Sequence, residues 1–230
     1  MNNQSLLQLP RYKCWPRYAN GQQVFHLHDR NYVGVSTILK ATEPLEVQAQ
    51  LAAWRSRVGA EEAQRIIRAS INRGKRLHRL VENHLLQSQG TEATPESWGY
   101  WQSLQPLLSE ITDVYLVEGL VWHPYGFAGV TDALLAYQGQ MYVCDWTTSP
   151  KPKQWAWIQN KCLQVAAYAA AINRVYQSYG VRVNQAQIVI ALPDTDAQVF
   201  RLEPSQLMDF WHQFQDRLAE YKKLCAIPTY

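Results

Sequence analysis

The stretch Gly129-Val-Thr-Asp-Ala-Leu-Leu-Ala-Tyr-Gln-Gly-Gln-Met-Tyr-Val-Cys-Asp-Trp-Thr-Thr148 constrains the fold most. Two apolar runs flank Gln138-Gly139, a pair suited to a two-residue hairpin turn. In that register Tyr137 faces Gln140 and, further along, Asp132 faces Asp145. Directly opposed Cβ atoms lie ~4.5–5.5 Å apart, so two carboxylates would repel each other across the ribbon unless a cation stood between them. The run Met141-Tyr-Val-Cys144 before Asp145 has the apolar character of a buried central strand. A carboxylate at its end is costly to bury without metal or donors. All-oxygen ligation of this kind favours Mg²⁺ or Mn²⁺ over zinc.

A chain of 230 residues with 47% hydrophobic and 18% charged residues has the composition of a globular α/β protein. Its net charge of +3 is too mild to imply a polyanion partner, but its distribution is uneven. Residues 51–80 hold eight of the 22 Lys and Arg and only two acids, Glu61 and Glu62. The four cysteines, Cys14, Cys144, Cys162 and Cys225, show no C-x-x-C spacing, which argues against an iron–sulfur or zinc site and for reduced thiols. No run approaches the ~18 apolar residues of a membrane span, and Met1-Asn-Asn-Gln-Ser-Leu-Leu7 lacks the features of a signal peptide. Without an Arg- and Ser-rich transit segment, a bacterial cytosolic or nucleoid location is expected ahead of a mitochondrial one.

Along the chain, the first 40 residues read as irregular or short β structure ending in Val33-Gly-Val-Ser-Thr-Ile-Leu39. Pro44 opens a helix to about Arg57, with Leu45, Ala49, Ala52 and Ala53 as its apolar stripe. After Gly59 a longer helix runs over 60–88, with Ile66, Ile67, Ile71, Leu77, Leu80, Val81 and Leu85 at helical spacing. Gly90–Pro95 is a polar loop, and Trp98–Glu110 a third helix. Strands follow at Val114–Trp122 and in the two hairpin arms, then a helix over Asn160–Tyr179. Strands over Ala186–Leu192 and Gln198–Leu202 and a helix from Pro204 complete the chain. The order predicts one domain over 1–230: an N-terminal segment and helical layer (1–112) over a mixed-sheet core (113–230).

The ordered motifs carry a resemblance. Val35-Ser-Thr-Ile-Leu39, Gly74-Lys-Arg-Leu-His78, Gly129-Val-Thr-Asp132, Asp145-Trp-Thr-Thr-Ser-Pro-Lys-Pro-Lys153 and Leu163-Gln-Val-Ala-Ala-Tyr168 together resemble the PD-(D/E)XK nuclease superfamily. Within it the similarity is greatest to RecB-type exonucleases, the branch that includes the mitochondrial genome maintenance exonucleases and their bacterial relatives. The resemblance implies a restriction-endonuclease-like mixed β-sheet flanked by helices and metal-dependent cleavage of DNA. It implies Asp132 and Asp145 as metal ligands, joined by His78 and the main-chain carbonyl of Trp146. Gln164 and Tyr168, one helical turn apart, would contact the scissile region. Glu118, on the strand before the hairpin, is a second-sphere candidate.

This chain departs from that pattern at Thr147, where the motif carries a lysine. Threonine supplies neither charge nor reach, so activity is expected to be reduced, lost or sustained by a lysine from elsewhere. Lys161 is one source, because residues 161, 164, 165 and 168 share a helical face; Lys151 and Lys153 are others. The cluster Lys151-Pro-Lys-Gln-Trp-Ala-Trp157 suits single-stranded DNA, with Lys151 and Lys153 following phosphates and Trp155 or Trp157 offering a face to bases. Lys75 and Arg76, with Arg65, Arg68, Arg73 and Arg79, would form a second basic wall. The expected protein is a monomeric exonuclease acting on single-stranded DNA ends. The alternative is a catalytically inactive DNA-binding module on the same fold.

Overall fold

The computed structural model describes residues 9–19, 22–88, 90 and 92–226. The N-terminal stretch Met1–Leu7, read as lacking a signal peptide, and position 91 of the polar loop lie outside these residues. The described elements run β1 (Arg17–Ala19), β2 (Gln22–Leu27), β3 (Arg30–Gly34), α1 (Val35–Ala41), α2 (Leu45–Val58), α3 (Ala60–Leu85) and α4 (Pro95–Ser109). They continue with β4 (Ile111–His123), β5 (Phe127–Tyr137), β6 (Gln140–Thr148), α5 (Gln159–Val175), β7 (Ala186–Ala191), β8 (Gln198–Leu202) and α6 (Pro204–Ala226).

The mixed α/β architecture expected from the element order is present. Eight strands form one sheet in the order β1-β2-β3-β5-β6-β7-β8, and β4 pairs with β5. Residues of α1, α5 and α6 bury one face, with Leu134, Val143, Ile188 and Ile190 of the sheet beneath them. α3 and α4 bury the other, against Ala133, Leu135, Cys144, Trp146 and Val189. Alternate residues along β5 to β7 thus serve opposite helical layers, as the two-residue period of a strand requires.

The hairpin has the register read from its turn. Tyr137 pairs with Gln140 and Ala133 with Cys144. Gln138 and Gly139 both have positive φ, 51° and 80°, the left-handed pair of a type I′ turn whose twist matches the strands it joins. At the start of α4, Thr94 and Ser97 form a reciprocal capping box, with Pro95 following the cap.

One feature of the sheet positions the site. β4 pairs with β5 along nearly its whole length, so β3 and β6 must share the opposite edge of β5. β3 takes Phe127 and Ala128 in parallel, whereas β6 takes Ala133 to Tyr137. Gly129 to Asp132 fall between them, where the two partner strands diverge. The sheet splits there, and Asp132 stands at the fork.

Three expectations need correction. Val35-Ser-Thr-Ile-Leu39 is the start of α1 rather than the end of a β segment, and its Val35, Ile38 and Leu39 are buried against α5 and α6. α2 forms as expected, but no residue of it is buried, and Leu45 of the supposed stripe is 81% exposed. In α3 only Ala63 and the C-terminal set Leu77, Leu80, Val81 and Leu85 are buried; Ile66 and Ile71 face solvent. Helical spacing locates an apolar face, but whether a partner lies opposite depends on where neighbouring elements end.

Candidate metal and nuclease site

The site collects at the fork between β5 and β6. Asp132 and Asp145 share strand parity with Leu134 and Val143, so both carboxylates point toward the α5 layer. The ladder of β5 and β6 ends one step before them, at Ala133–Cys144. The Trp146 N–H donates to Asp132 Oδ2 at 2.7 Å, so the Asp132 carboxylate closes the ladder where a backbone carbonyl would otherwise accept. Trp146 contributes its N–H to this geometry.

The compact group of possible ligands is His78, Glu118 and Asp132, whose donor atoms lie within 4.8 Å of one another. His78 Nδ1 is 3.4 Å from Glu118 Oε1 and 3.6 Å from Asp132 Oδ1. Glu118 therefore stands inside the group rather than behind it. Its placement has a backbone cause. Flanked by the pairs Val117–Ala133 and Gly119–Thr131, it lies opposite Asp132 but breaks the ladder with φ +46°. A non-glycine residue in this left-handed region carries ~1–2 kcal/mol of strain. Such strain concentrates where a side chain must be aimed. The carbonyl of Glu118 accepts from Arg11 Nε at 3.2 Å, and Arg11 Nη2 pairs with Glu82 of α3 at 2.8 Å.

Asp145 lies outside that group and is paired with the helix above it. Lys161 Nζ donates to Asp145 Oδ1 at 3.0 Å and stands 2.8 Å from Oδ2. Asp145 is only 2% exposed, and its Oδ2 is buried without a hydrogen bond of its own. Of the three lysines considered for the missing motif position, Lys161 reaches the carboxylates. Thr147 itself is a half-buried β6 residue paired with Ile190 of β7. Neighbouring Thr148 accepts from Arg73 Nε at 3.1 Å.

The electrostatics reflect the close packing of acids and bases in the cluster. Burial opposes ionisation of His78, but Asp132, the hydrogen bond with Glu118 and the charge of Asp145 outweigh it, and its pKa rises to about 9. Burial pushes Asp132 up to about 7, against the pull of His78 and Lys161, with Asp145 and Glu118 adding to the rise. Lys161 also moves up: burial works against its charge, but Asp145 and Asp132 prevail.

On α5, Gln164 Nε2 donates to the Tyr168 hydroxyl at 3.2 Å. Burial raises Tyr168 well above the usual phenol value, so it keeps its proton and has it free to donate. Gly129 makes room for this ring: a Cβ there would lie 2.7 Å from Tyr168 Cε1 and 2.8 Å from its hydroxyl oxygen.

The residues assigned to nucleic acid fall in two places. Lys153 Nζ sits 5.8 Å from the Trp157 ring centroid, and Trp157 is exposed on a 3₁₀ turn (Trp155–Trp157). Lys151 is exposed beside it, while Trp155 leans on Phe200 and Phe210. Lys75 and Arg76 line a cavity of about 590 Å³ between α3 and α4, with Arg73, Arg79 and Tyr100. Arg73 lies 5.0 Å over the Tyr100 ring and, through Thr148, links this basic cavity to the end of β6. Arg11 drew no attention in the sequence, and Arg73 was read only as one residue of the basic face of α3. The only signal was the repeated Arg in α3, and nothing local marks which Arg turns toward the sheet.

No described helix is long and apolar enough to cross a membrane. No protein-family model matches the chain. Among curated proteins, mitochondrial genome maintenance exonuclease 1 of Xenopus tropicalis is 32% identical over 207 residues, covering 86% of this chain and 59% of its own. The Mus musculus protein of that name is 31% identical, covering 81% and 58%, and the Homo sapiens protein 29%, covering 84% and 59%. The chain thus spans somewhat under three fifths of the length of these relatives. Among solved structures, SSO0001 aligns with a TM-score of 0.43 at 17% identity, covering 89% of this chain and 82% of its own. An alkaline exonuclease from Laribacter hongkongensis aligns at 0.30 and 13%, covering 85% and 93%. At those scores neither structure carries weight. Over most of its length the chain is a homologue of the exonucleases named for mitochondrial genome maintenance, the group its ordered motifs resemble.

Proposed function

We propose that the chain is a single metal-dependent nuclease domain of PD-(D/E)XK type that hydrolyses DNA from single-stranded ends. One observation carries the proposal: His78, Glu118 and Asp132 gather within 4.8 Å at the fork of the sheet, beside an Asp145 already engaged by Lys161. The donor set of two carboxylates and one imidazole fits a hard divalent cation, with Asp145 beside it on the next strand. His78, Glu118 and Asp132 would hold Mg²⁺ or Mn²⁺, with Asp145 completing the anionic side. When bound, such a cation polarises a phosphoryl oxygen and lowers the pKa of a coordinated water.

The chain's own residues do the rest. Lys161 holds an ammonium at Asp145, where it would position the attacking water and offset charge building on the phosphate. It takes the part that Thr147 cannot play. Tyr168, fixed by Gln164, presents a proton toward the same face. Lys151, Lys153 and Trp157 would guide the strand on one side, and Lys75 and Arg76 on the other.

The test is incubation of end-labelled single-stranded DNA with Mg²⁺ or Mn²⁺. The expected result is cleavage by the unmodified chain that is lost in Asp145→Ala. A chain that binds DNA but never cleaves, even as Thr147→Lys, would establish the inactive binding module instead.

A further inference from the structure

The segment leading into β1 carries a second feature that the metal site does not use. Residues 9–12 run along the outer edge of β4, with Leu9 N–H bonded to Tyr115 O and Leu120 N–H to Tyr12 O. Arg11 in this stretch touches Glu118 and so anchors it to the ligand group. Beyond it the burial alternates. Tyr12 and Cys14 pack inward against the Phe25–Leu120 cluster. Lys13, Trp15 and Arg17 face outward, with Trp15 at 92% exposure. None of these three side chains has a hydrogen bond, ion pair or ring contact among the described residues.

A tryptophan almost wholly in water is unusual, because its large apolar surface makes it one of the more buried residue types on average. Here it stands between two unpaired cations in a stretch whose exposure alternates residue by residue, with one residue separating it from each. Cation, aromatic plane, cation repeats the order that a single strand presents: phosphate, unstacked base, phosphate. A duplex would not offer its bases to such a face.

We infer that Lys13, Trp15 and Arg17 form a single-strand subsite, a stacking platform with a phosphate contact on each side. Trp15 lies four residues from Arg11, so the platform stands at most ~13–14 Å along the chain from the anchor at Glu118. It engages a part of the strand away from the bond being cut. The inference rests on the proposed nuclease function only for the kind of partner.

The test separates the two. Anisotropy titrations in EDTA use labelled oligothymidylates of about 4 and about 12 nucleotides, lengths within the range one strand-binding fold covers. Trp15→Ala is expected to weaken the longer ligand about 5- to 150-fold, the equivalent of one lost base stack. The short ligand should be unaffected, and Trp15→Phe should retain most of the affinity. Lys13→Gln with Arg17→Gln should lower the salt slope by ~1.4, since each single-strand phosphate contact contributes ~0.7. Because Trp15 lies in solvent, the melting midpoint should not move. Unchanged affinity for the longer ligand, or equal loss at both lengths, overturns the subsite. So does a dimer that vanishes in Trp15→Ala without loss of DNA binding, which would make a second copy the occupant. Failure of cleavage would overturn the nuclease proposal and leave these titrations readable. Loss of length dependence with cleavage intact would do the reverse.

Discussion

Replacing Lys161 by methionine removes the ammonium while keeping an unbranched chain of similar length. Asp145, 2% exposed, is then left with neither the hydrogen bond to Oδ1 nor the neighbouring charge at 2.8 Å from Oδ2. Breaking a fully buried pair costs ~3–5 kcal/mol. The Lys161 side chain is 34% exposed, so solvent screens part of the interaction, and ~2–3 kcal/mol is the appropriate expectation. For a domain of this size that corresponds to a fall of ~5–10 °C in Tm, read by calorimetry or urea titration without metal. Mn²⁺ should recover part of the loss, because a bound cation restores positive charge beside Asp145. The same variant should lose ~10²–10³ in turnover, the usual cost of one positioned donor at a developing charge. Thr147→Lys in the Lys161→Met background should restore some of both. Unchanged metal-free stability and unchanged turnover in Lys161→Met would refute the assignment of the relocated lysine.

Four further outcomes follow from the same geometry. Glu118→Gly should relieve the φ +46° strain and raise metal-free stability by up to ~1 kcal/mol while weakening Mn²⁺ binding; a loss of stability would show the backbone is not strained. Gly129→Ala should cost ~1–3 kcal/mol by driving a Cβ into Tyr168, and a double-mutant cycle with Tyr168→Ala should show that the penalty is shared. Metal binding requires His78 neutral and Asp132 ionised, so cation affinity should fall as pH drops from about 9 toward about 7, with proton release in calorimetry. His123 is half-buried, and burial with the nearby Arg174 lowers its pKa to about 4 from 6.5. The unfolded chain takes up that proton first, so this share of stability is intact above 6.5 and declines as pH falls toward 4. After discounting for solvent it amounts to ~1 kcal/mol, and His123→Phe should flatten that slope.

Much of the architecture was legible because it rests on local rules. Gln138-Gly139 set the hairpin register, since the turn tolerates only residues that enter the left-handed region, and the strand period then carried Asp132 and Asp145 to one face. Lys161, Gln164 and Tyr168 could be grouped because helical geometry puts them on one side of α5. The solvent-facing stripe of α2 was misread, because amphipathic spacing says nothing about what lies opposite.

Whether the two aspartates share one ion was a different matter. By sequence the pair faced each other. In the fold Asp132 also accepts from the Trp146 N–H, and α5 delivers Lys161 to Asp145. The positive φ of Glu118 brought that residue in from β4, and α3 brought His78 from forty residues away. Those placements depend on strand order and helix crossings between distant segments. Local spacing therefore marked the candidate residues, and only tertiary packing decided which of them meet.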